Sequence, residues 1–368
     1  MVSRKDTLPP SNVASKALAP ERTRGPRRKL GTFTIHDVAE RAGVSSVTAS
    51  RYFNEPGRVS QKLREKLSAV IRETGYVPSQ VARRLASSHG GLVGAVMQNI
   101  ASPTFAPLVQ GMGDTLEQRG LQLLLANSHY SIASEERAIQ AFFGWHPSGL
   151  ILTRGDHSEA SDALLSAMQI PVVEAWEVVE GRPFHQVGFS QHAVGRTLTG
   201  HFLAQGVKRV RFALNGLMDD TRAARRAEGY ALAMQAAGLE PDIVRSGETD
   251  DIQAGTDQIR RLLAEPIAAR PRAIVFANDS MAMAAILHGI QMRLSIPNDC
   301  AVAGFGDAPV GAILMPSLTT IRTAPYAIGS TAARTLIELL DMPPGIPTEI
   351  RTHHIPCELV VRDSSRVG

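Results

Sequence analysis

T-I-H-D-V-A-E-R-A-G-V-S-S-V-T-A-S-R-Y-F-N, residues Thr34 to Asn54, is the stretch from which the rest of the chain is read. Thr34 with Asp37 three places on is a capping-box pair, which satisfies free backbone N–H groups where a helix starts. A helix therefore begins here. Ile35, Val38, Ala39 and Ala42 keep one of its faces inward, and Gly43 stands where the helix must stop and the chain must turn. Val44 packs back and Ser45 caps a second helix, in which Val47, Tyr52 and Phe53 are expected inward while Ser46, Thr48, Ser50 and Arg51 stay outside. Two short helices joined by a glycine turn make a helix-turn-helix, whose second helix fits a DNA major groove. The spacing alone also describes an ordinary helical hairpin.

The wording narrows the choice. D-V-A-x-x-A-G-V-S-x-x-T-x-S-R, from Asp37 to Arg51, resembles the amino-terminal signature of the LacI family of bacterial transcription regulators. Ala49 departs from it, standing where the family more often carries Val, which thins the core slightly and leaves the outer surface unchanged. The resemblance implies that Ser46, Val47 and Arg51 face base edges, with Arg51 suited to a bidentate guanine contact. Thr48 and Ser50 would touch phosphates, and Thr34, Ser45 and Asn54 would complete the DNA surface.

At 368 residues, 43% hydrophobic and 20% charged, the chain has an ordinary globular composition with room for two or three compact units. Its net charge of +4 hides an asymmetry: residues 1–88 carry 17 Lys and Arg against 7 Asp and Glu, and the remainder carries 22 against 28. The short part is thus expected to meet a polyanion, double-stranded DNA, although a solvated basic tail accounts for some of the excess. Two cysteines, Cys300 and Cys357, exclude a disulfide framework and fit a reducing cytoplasm. No run reaches the length of a membrane span, and Met1 to Pro20 is polar and Pro-rich without an apolar signal core, so a cytoplasmic protein with no membrane partner is expected.

In chain order, residues 1–30 read as a disordered basic tail: prolines and the cluster Arg22 to Lys29 lack apolar periodicity. Residues 31–77 form the helix-turn-helix headpiece, its third helix capped at Ser60, carried by Leu63, Leu67, Val70 and Ile71, and ended at Gly75. Residues 78–89 form a linker whose helical segment from Pro78 is too short to stand alone in water. It resembles the LacI-family hinge helix, with Pro78, Ala82, Arg83 and Leu85 matching and Ser79 in place of Asn. That implies Ala82, Arg83 and Leu85 at the minor groove, Leu85 levering a base step apart. A plain linker whose Leu85 packs on the next domain is the competing reading.

From residue 90 to 368 short apolar strands alternate with helices in two successive series, an α/β pattern of parallel sheets covered on both faces. The layout resembles periplasmic sugar-binding proteins, whose fold the LacI family shares. Lobe one is expected over about 90–188 and 324–352, lobe two over about 189–323 and 353–368, with an effector cleft between them and homodimerisation through the lobes. No leucine heptads follow residue 360, so dimers rather than tail-assembled tetramers are expected.

Ligands of such sheets sit beyond the carboxyl ends of strands. The residues there are Gln98, Asn99, Ser128, Arg154, Asp156, His157, Glu174, Trp176, Asn215, Asn278, Asp279 and Asp307. Amides and carboxylates suit sugar hydroxyls and an aromatic ring suits a sugar's apolar face; each polar residue alone could equally be a loop residue or a helix cap, Asp279 before Ser280 in particular. The effector set expected is Gln98, Phe105, Arg154, His157, Glu174, Trp176, Arg222, Arg226, Asn278 and Asp307. The resemblance implies that Arg226, in R-x-x-G with Gly229, grips the effector, that Asn278 contacts it, and that Asp307 substitutes for an acidic residue often found where Gly306 stands. Arg222 and Arg226 together suit a carboxylate or phosphate. I-L-T-R-G-D-H-S (Ile151 to Ser158), I-P-V-V-E (Ile170 to Glu174) and V-G-F-S (Val187 to Ser190) resemble the gluconate-utilisation repressors, which implies gluconate or a keto or phosphorylated relative.

No phosphate-binding loop, dinucleotide fingerprint, H-E-x-x-H pair or nucleophile elbow is present. H-H-I-P-C at His353 to Cys357 is better read as strand residues than as half a metal site. Neither cofactor nor metal is expected, and no enzyme; a sugar-binding protein without DNA function, or a sugar-modifying enzyme on the same scaffold, is the alternative.

Overall fold

The computed structural model describes residues 33–76, 91–343 and 349–367. The chain divides into two compact units, Met1–Ala86 and Ser87–Gly368.

In the first unit α1 (Ile35–Ala42) opens with the anticipated capping box: the Thr34 hydroxyl accepts from the Asp37 N–H while the Asp37 carboxylate accepts from the Thr34 N–H. It closes on Gly43 at φ 62°, a left-handed conformation that favours glycine. Ser45 caps α2 (Ser46–Asn54) by accepting from the Thr48 N–H, and α3 (Gln61–Thr74) ends at Gly75, again at φ 62°. Val38, Ala39, Ala42, Ala49, Leu67 and Tyr76 form the small core. Val47 is not part of it. The residue is 62% exposed, a correction to its expected inward position: α2 turns the Ala49 side to the core, and Val47 falls on the opposite face.

The second unit holds the two series. β1 (Leu92–Met97), α4 (Ala106–Glu117), β2 (Gln122–Asn127), α5 (Ile132–Trp145), β3 (Gly149–Leu152), α6 (Glu159–Ala167), β4 (Val172–Glu177) and β5 (His185–Phe189) make the first. α7 (Gln191–Ala204), β6 (Val210–Leu214), α8 (Thr221–Ala236), β7 (Asp242–Arg245), α9 (Asp251–Ala264), β8 (Ala273–Phe276), α10 (Asp279–Gln291) and β9 (Ala301–Ala303) make the second. β10 (Thr320–Arg322), α11 (Pro325–Leu340), β11 (Thr352–His354) and β12 (Glu358–Val360) follow. Among the described residues the strands form a six-stranded sheet, β11-β5-β4-β3-β1-β2, a four-stranded sheet, β7-β6-β8-β9, and the pair β10-β12. Both larger sheets are parallel. Their inner strands are buried throughout, and β1, β3 and β8 are wholly apolar, as helices on both faces require.

After the second series the chain returns to the first sheet. α11 lies against α4 so closely that a Cβ on Gly329 would run into the Leu108 carbonyl oxygen. β11 pairs with β5, His353 opposite Val187 and His354 opposite Gly188. His353 and His354 therefore extend the first sheet, whereas residues from 353 on were expected in the second lobe. The second lobe uses the same device, since a Cβ on Gly195 of α7 would meet the Arg226 carbonyl oxygen of α8, and one on Gly229 that of His192.

Candidate functional site

On the first unit, Arg51 and Val47 are exposed one helical turn apart on α2. The serine and threonine hydroxyls at its start are partly engaged: Ser45 Oγ lies 2.9 Å from Thr48 Oγ1, and Ser46 Oγ lies 3.1 Å from His36 Nδ1. Ser50 is half-buried, and Thr34 is held in the capping box. The side chain of Asn54, and Ala82, Arg83 and Leu85, lie outside the described residues.

In the second unit the carboxyl ends of the first sheet meet the start of α8. A row of rings lines this region: Phe105 to Trp176 at 4.7 Å, Trp176 to Phe189 at 5.5 Å and Phe189 to Phe305 at 6.0 Å between centroids. Trp176 takes φ 88°, a strained conformation for a bulky residue and of the kind that collects at functional sites. Two guanidiniums stack on the row. Arg222 lies 5.1 Å above Phe105 and 5.7 Å from the Tyr130 ring, and Arg226 lies 4.3 Å from Phe305.

Their partners are neutral. Arg226 donates from Nη1 to Gln191 Oε1 at 2.6 Å and from Nη2 to the Ala277 carbonyl at 2.9 Å, leaving Nε without a partner. Arg222 Nη1 has no partner at all. The two residues are only 5% and 3% exposed, and among the described residues neither forms an ion pair. Burial pulls the Arg226 guanidinium down to about 10; Asp220 works against this and Arg222 adds to it. Gln98, at the end of β1, is fully buried with both amide atoms unpartnered, and Gln191 Nε2 is likewise unpartnered. Each such buried group is left about 1–3 kcal/mol short of a hydrogen-bonded state, so a ligand offering anionic oxygens and hydroxyls recovers what the fold leaves unmet.

The first turns of α8 also reach across to the first lobe. Thr221 donates to Asp156 Oδ1 at 3.1 Å, and Arg225 pairs with the buried Glu177 at 2.8 Å.

Several expected effector residues are engaged by the protein itself. Arg154 donates to the Tyr130 carbonyl at 3.0 Å and to the Asp156 carbonyl at 2.9 Å, bracing the loop beneath the cleft. His157 is enclosed between Glu135, 3.0 Å away, and Glu174, 3.4 Å away. Burial opposes its charge, but the two carboxylates prevail and hold the imidazolium up to about 9. Glu174 also accepts from Arg182 and Gln186, each at 2.8 Å. This is a sealed charge network inside lobe one, in place of the open hydroxyl readers expected. Asn278 caps α10 through Met281 N–H and donates to Asp251 at 3.0 Å; Asn278, not Asp279, is the cap. Asp279 is the first helical residue and accepts from the Thr320 hydroxyl and the Ala308 N–H, each at 2.7 Å, its carboxyl pushed up by burial to about 6. Asp307 is held by Arg322 and Arg362, each at 2.6 Å. Burial disfavours its charge, yet these two bonds outweigh it and keep the carboxyl below its ordinary range. Both Asp307 oxygens are thereby engaged. Gly229 belongs to the α7–α8 crossing.

Sequence reading passed over Tyr130, Glu177, Gln191, Asp251, Phe189 and Phe305. Phe189, Gln191 and Phe305 stand beside strand ends, the position that selected the others, and were findable there. Tyr130 sits at φ 63° in the β2–α5 loop, for which nothing in the sequence gives a signal.

Comparison with known proteins shows the family and the fold. Residues 34–79 match the family described as bacterial regulatory proteins, lacI family, and residues 199–365 match the periplasmic binding protein-like domain. The chain is 33% identical over 317 residues to the HTH-type transcriptional regulator GntR of Pseudomonas aeruginosa, covering 85% of this chain and 91% of that one. A crystal structure of a LacI-family transcriptional regulator from Silicibacter pomeroyi superposes with a TM-score of 0.81 at 28% identity, over 90% of this chain and 99% of that one. The lac repressor dimer bound to operator and the anti-inducer ONPF gives a TM-score of 0.76 at 25% identity, over 90% and 99%. These relatives are regulators rather than enzymes, and among the described residues no helix is long and apolar enough to cross a membrane.

Proposed function

We propose, from the premise that the chain belongs to the lacI family of bacterial regulatory proteins and is a DNA-binding transcriptional regulator, that it represses sugar-acid catabolism genes under control of gluconate or a keto or phosphorylated relative. The effector lies between the two lobes, its anionic group at Arg222 and Arg226. The observation that carries this is the pair of buried guanidiniums with neutral partners. A buried positive charge without a carboxylate is costly, and a ligand carboxylate supplies the missing partner in a bidentate geometry. The adjoining rings suit the apolar face of a carbon chain or sugar.

Two chains pair through the effector domain, setting two α2 helices on the half-sites of a near-palindrome. Arg51 and Val47 read base edges, and phosphate contacts supply salt-dependent affinity. The effector acts only through its different affinity for two lobe arrangements, and so for the DNA-bound and free states. Arg226→Ala tests the reading: operator binding in a gel shift is retained, while release by gluconate requires ~100-fold more ligand or is lost, in line with a charged hydrogen bond of about 3 kcal/mol. Unchanged release by gluconate would remove Arg226 from the site.

A further inference from the structure

The cleft carries a second pole, opposite in sign to the arginines. Asp251 opens α9, and its Oδ1 accepts two side-chain amides, from Asn215 at 2.8 Å and Asn278 at 3.0 Å. Asn215 and Asn278 follow directly on the carboxyl ends of β6 and β8, so the carboxylate is oriented from two neighbouring strands. Among the described residues Oδ2 has no hydrogen-bond partner. The other carboxylates nearby are differently engaged: Glu177 faces Arg225, Asp156 holds Arg154 and Thr221, and Asp220 caps α8. Asp251 has only neutral donors and an oxygen left over.

Its position in the cleft follows from Asn278, which donates to it and directly follows Ala277, whose carbonyl accepts from Arg226 at 2.9 Å. The Tyr130 phenol of lobe one lies beneath the Arg222 guanidinium, and burial with the charge of Asp220 drives it up against the opposing Arg222. Asp251 is thus tied through Asn278 to the strand end that Arg226 also contacts, and this end of the cleft holds positive groups on one side and a carboxylate on the other. A neutral sugar needs no such gradient. A chain with a carboxylate at one end and hydroxyls along the rest fits it in one direction only.

We propose that Asp251 is the specificity-determining acceptor of this regulator, taking a hydroxyl of the ligand on Oδ2 while Arg222 takes the carboxylate, so that a polyhydroxy acid binds with fixed polarity. This rests on the sugar-acid reading above for the nature of the ligand, but the role of Asp251 is separately testable. Asp307, engaged by two arginines, leaves this role to Asp251.

The test uses the full chain and calorimetric titration with gluconate, the neutral polyol glucitol, and the monodeoxy analogues of each. With the unaltered chain, removal of one particular hydroxyl weakens binding about 10- to 100-fold, the range of a hydrogen bond to a charged group. In Asp251→Asn the same deletion costs several-fold less, because the charged acceptor is gone and the amide N–H in its place can make at most a neutral bond to that hydroxyl. Arg222→Gln keeps the penalty for that hydroxyl and reduces the preference for gluconate over glucitol. A hydroxyl penalty of the same size in Asp251→Asn, or no penalty at any hydroxyl in the unaltered chain, overturns the proposal; the second arm needs no variant to fold. Equal affinity for glucitol and gluconate would sink the sugar-acid reading alone, with the deoxyglucitols still reporting on Asp251. Failure of both parent ligands to bind overturns both.

Discussion

Helix α2 of the headpiece and the cleft of the effector domain both display polar groups that the fold leaves without partners, and they differ in where those groups lie. On α2 the uncommitted groups are exposed, Arg51 among them. Water satisfies them in the free protein, so displaying them adds little strain, and DNA binding draws on charge and is tuned by salt. In the cleft the uncommitted groups are buried, with Gln98, Arg222 and Arg226 at most 5% exposed. Water cannot satisfy them fully, so each raises the free energy, a cost that the proposed ligand of matching geometry would relieve. An exposed reading surface is always available and discriminates by the partner's sequence; a buried one discriminates by making the wrong ligand leave a group unmet. A regulator requires both kinds.

That contrast can be broken from the cleft side first. His157, sealed between Glu135 and Glu174, has its charged form stabilised in the fold, its pKa raised from 6.5 to about 9. A raised value means the stabilisation is complete below pH 6.5 and is lost as pH climbs through about 9; it amounts to on the order of 2–4 kcal/mol. Thermal unfolding of the effector domain should fall off over that window and His157→Gln should flatten the slope; an unchanged slope would place the titrating group elsewhere. Next in size is Gly195→Ala, whose new Cβ meets the Arg226 carbonyl oxygen. Overpacking against backbone costs roughly 1–3 kcal/mol, and here the upper end is expected, lowering the melting point and displacing Arg226. Operator binding at low temperature should survive, and its loss would show that the two regions are less separable than described.

From the headpiece side, Arg51→Ala should reduce binding to the preferred operator by roughly 1–3 kcal/mol at a single base position, leaving effector affinity unchanged. An equal loss on every sequence would make Arg51 a phosphate contact. The smallest effect is expected from Thr34→Ala, which removes the capping box of α1 for about 1 kcal/mol of headpiece stability, read as a lower denaturant midpoint with the base preference intact.

How much was legible in the sequence follows the same division. The capping box at Thr34 and Asp37 and the glycine stops at Gly43 and Gly75 were readable because each depends on residues within a turn of one another. The family resemblance put Val47 on the outer face, but spacing alone put it inward, because α2 is too short for its apolar residues to define one face: Val47 and Ala49 offer competing inward sides, and packing against the other two helices chose Ala49. The strand-end rule pointed to the region between the lobes but could not sort its members. Glu174 and Asp307 satisfied the rule as well as Gln98 did, yet Arg182 claims Glu174 and two arginines claim Asp307. Asp251 was overlooked because it starts a helix instead of ending a strand.

The amino-acid order by itself determined the three helices of the headpiece, the alternation of strand and helix that yields two parallel sheets, and the concentration of positive charge in the first quarter of the chain. These are local or additive properties, and they survive whatever the chain does at long range. Only the tertiary structure decided which polar side chains remain open to a ligand. A carboxylate or guanidinium is free or engaged according to partners far away in sequence, as with Thr320 on Asp279 or Arg362 on Asp307. That allocation exists only once the lobes have folded and the donors and acceptors within reach have been paired off.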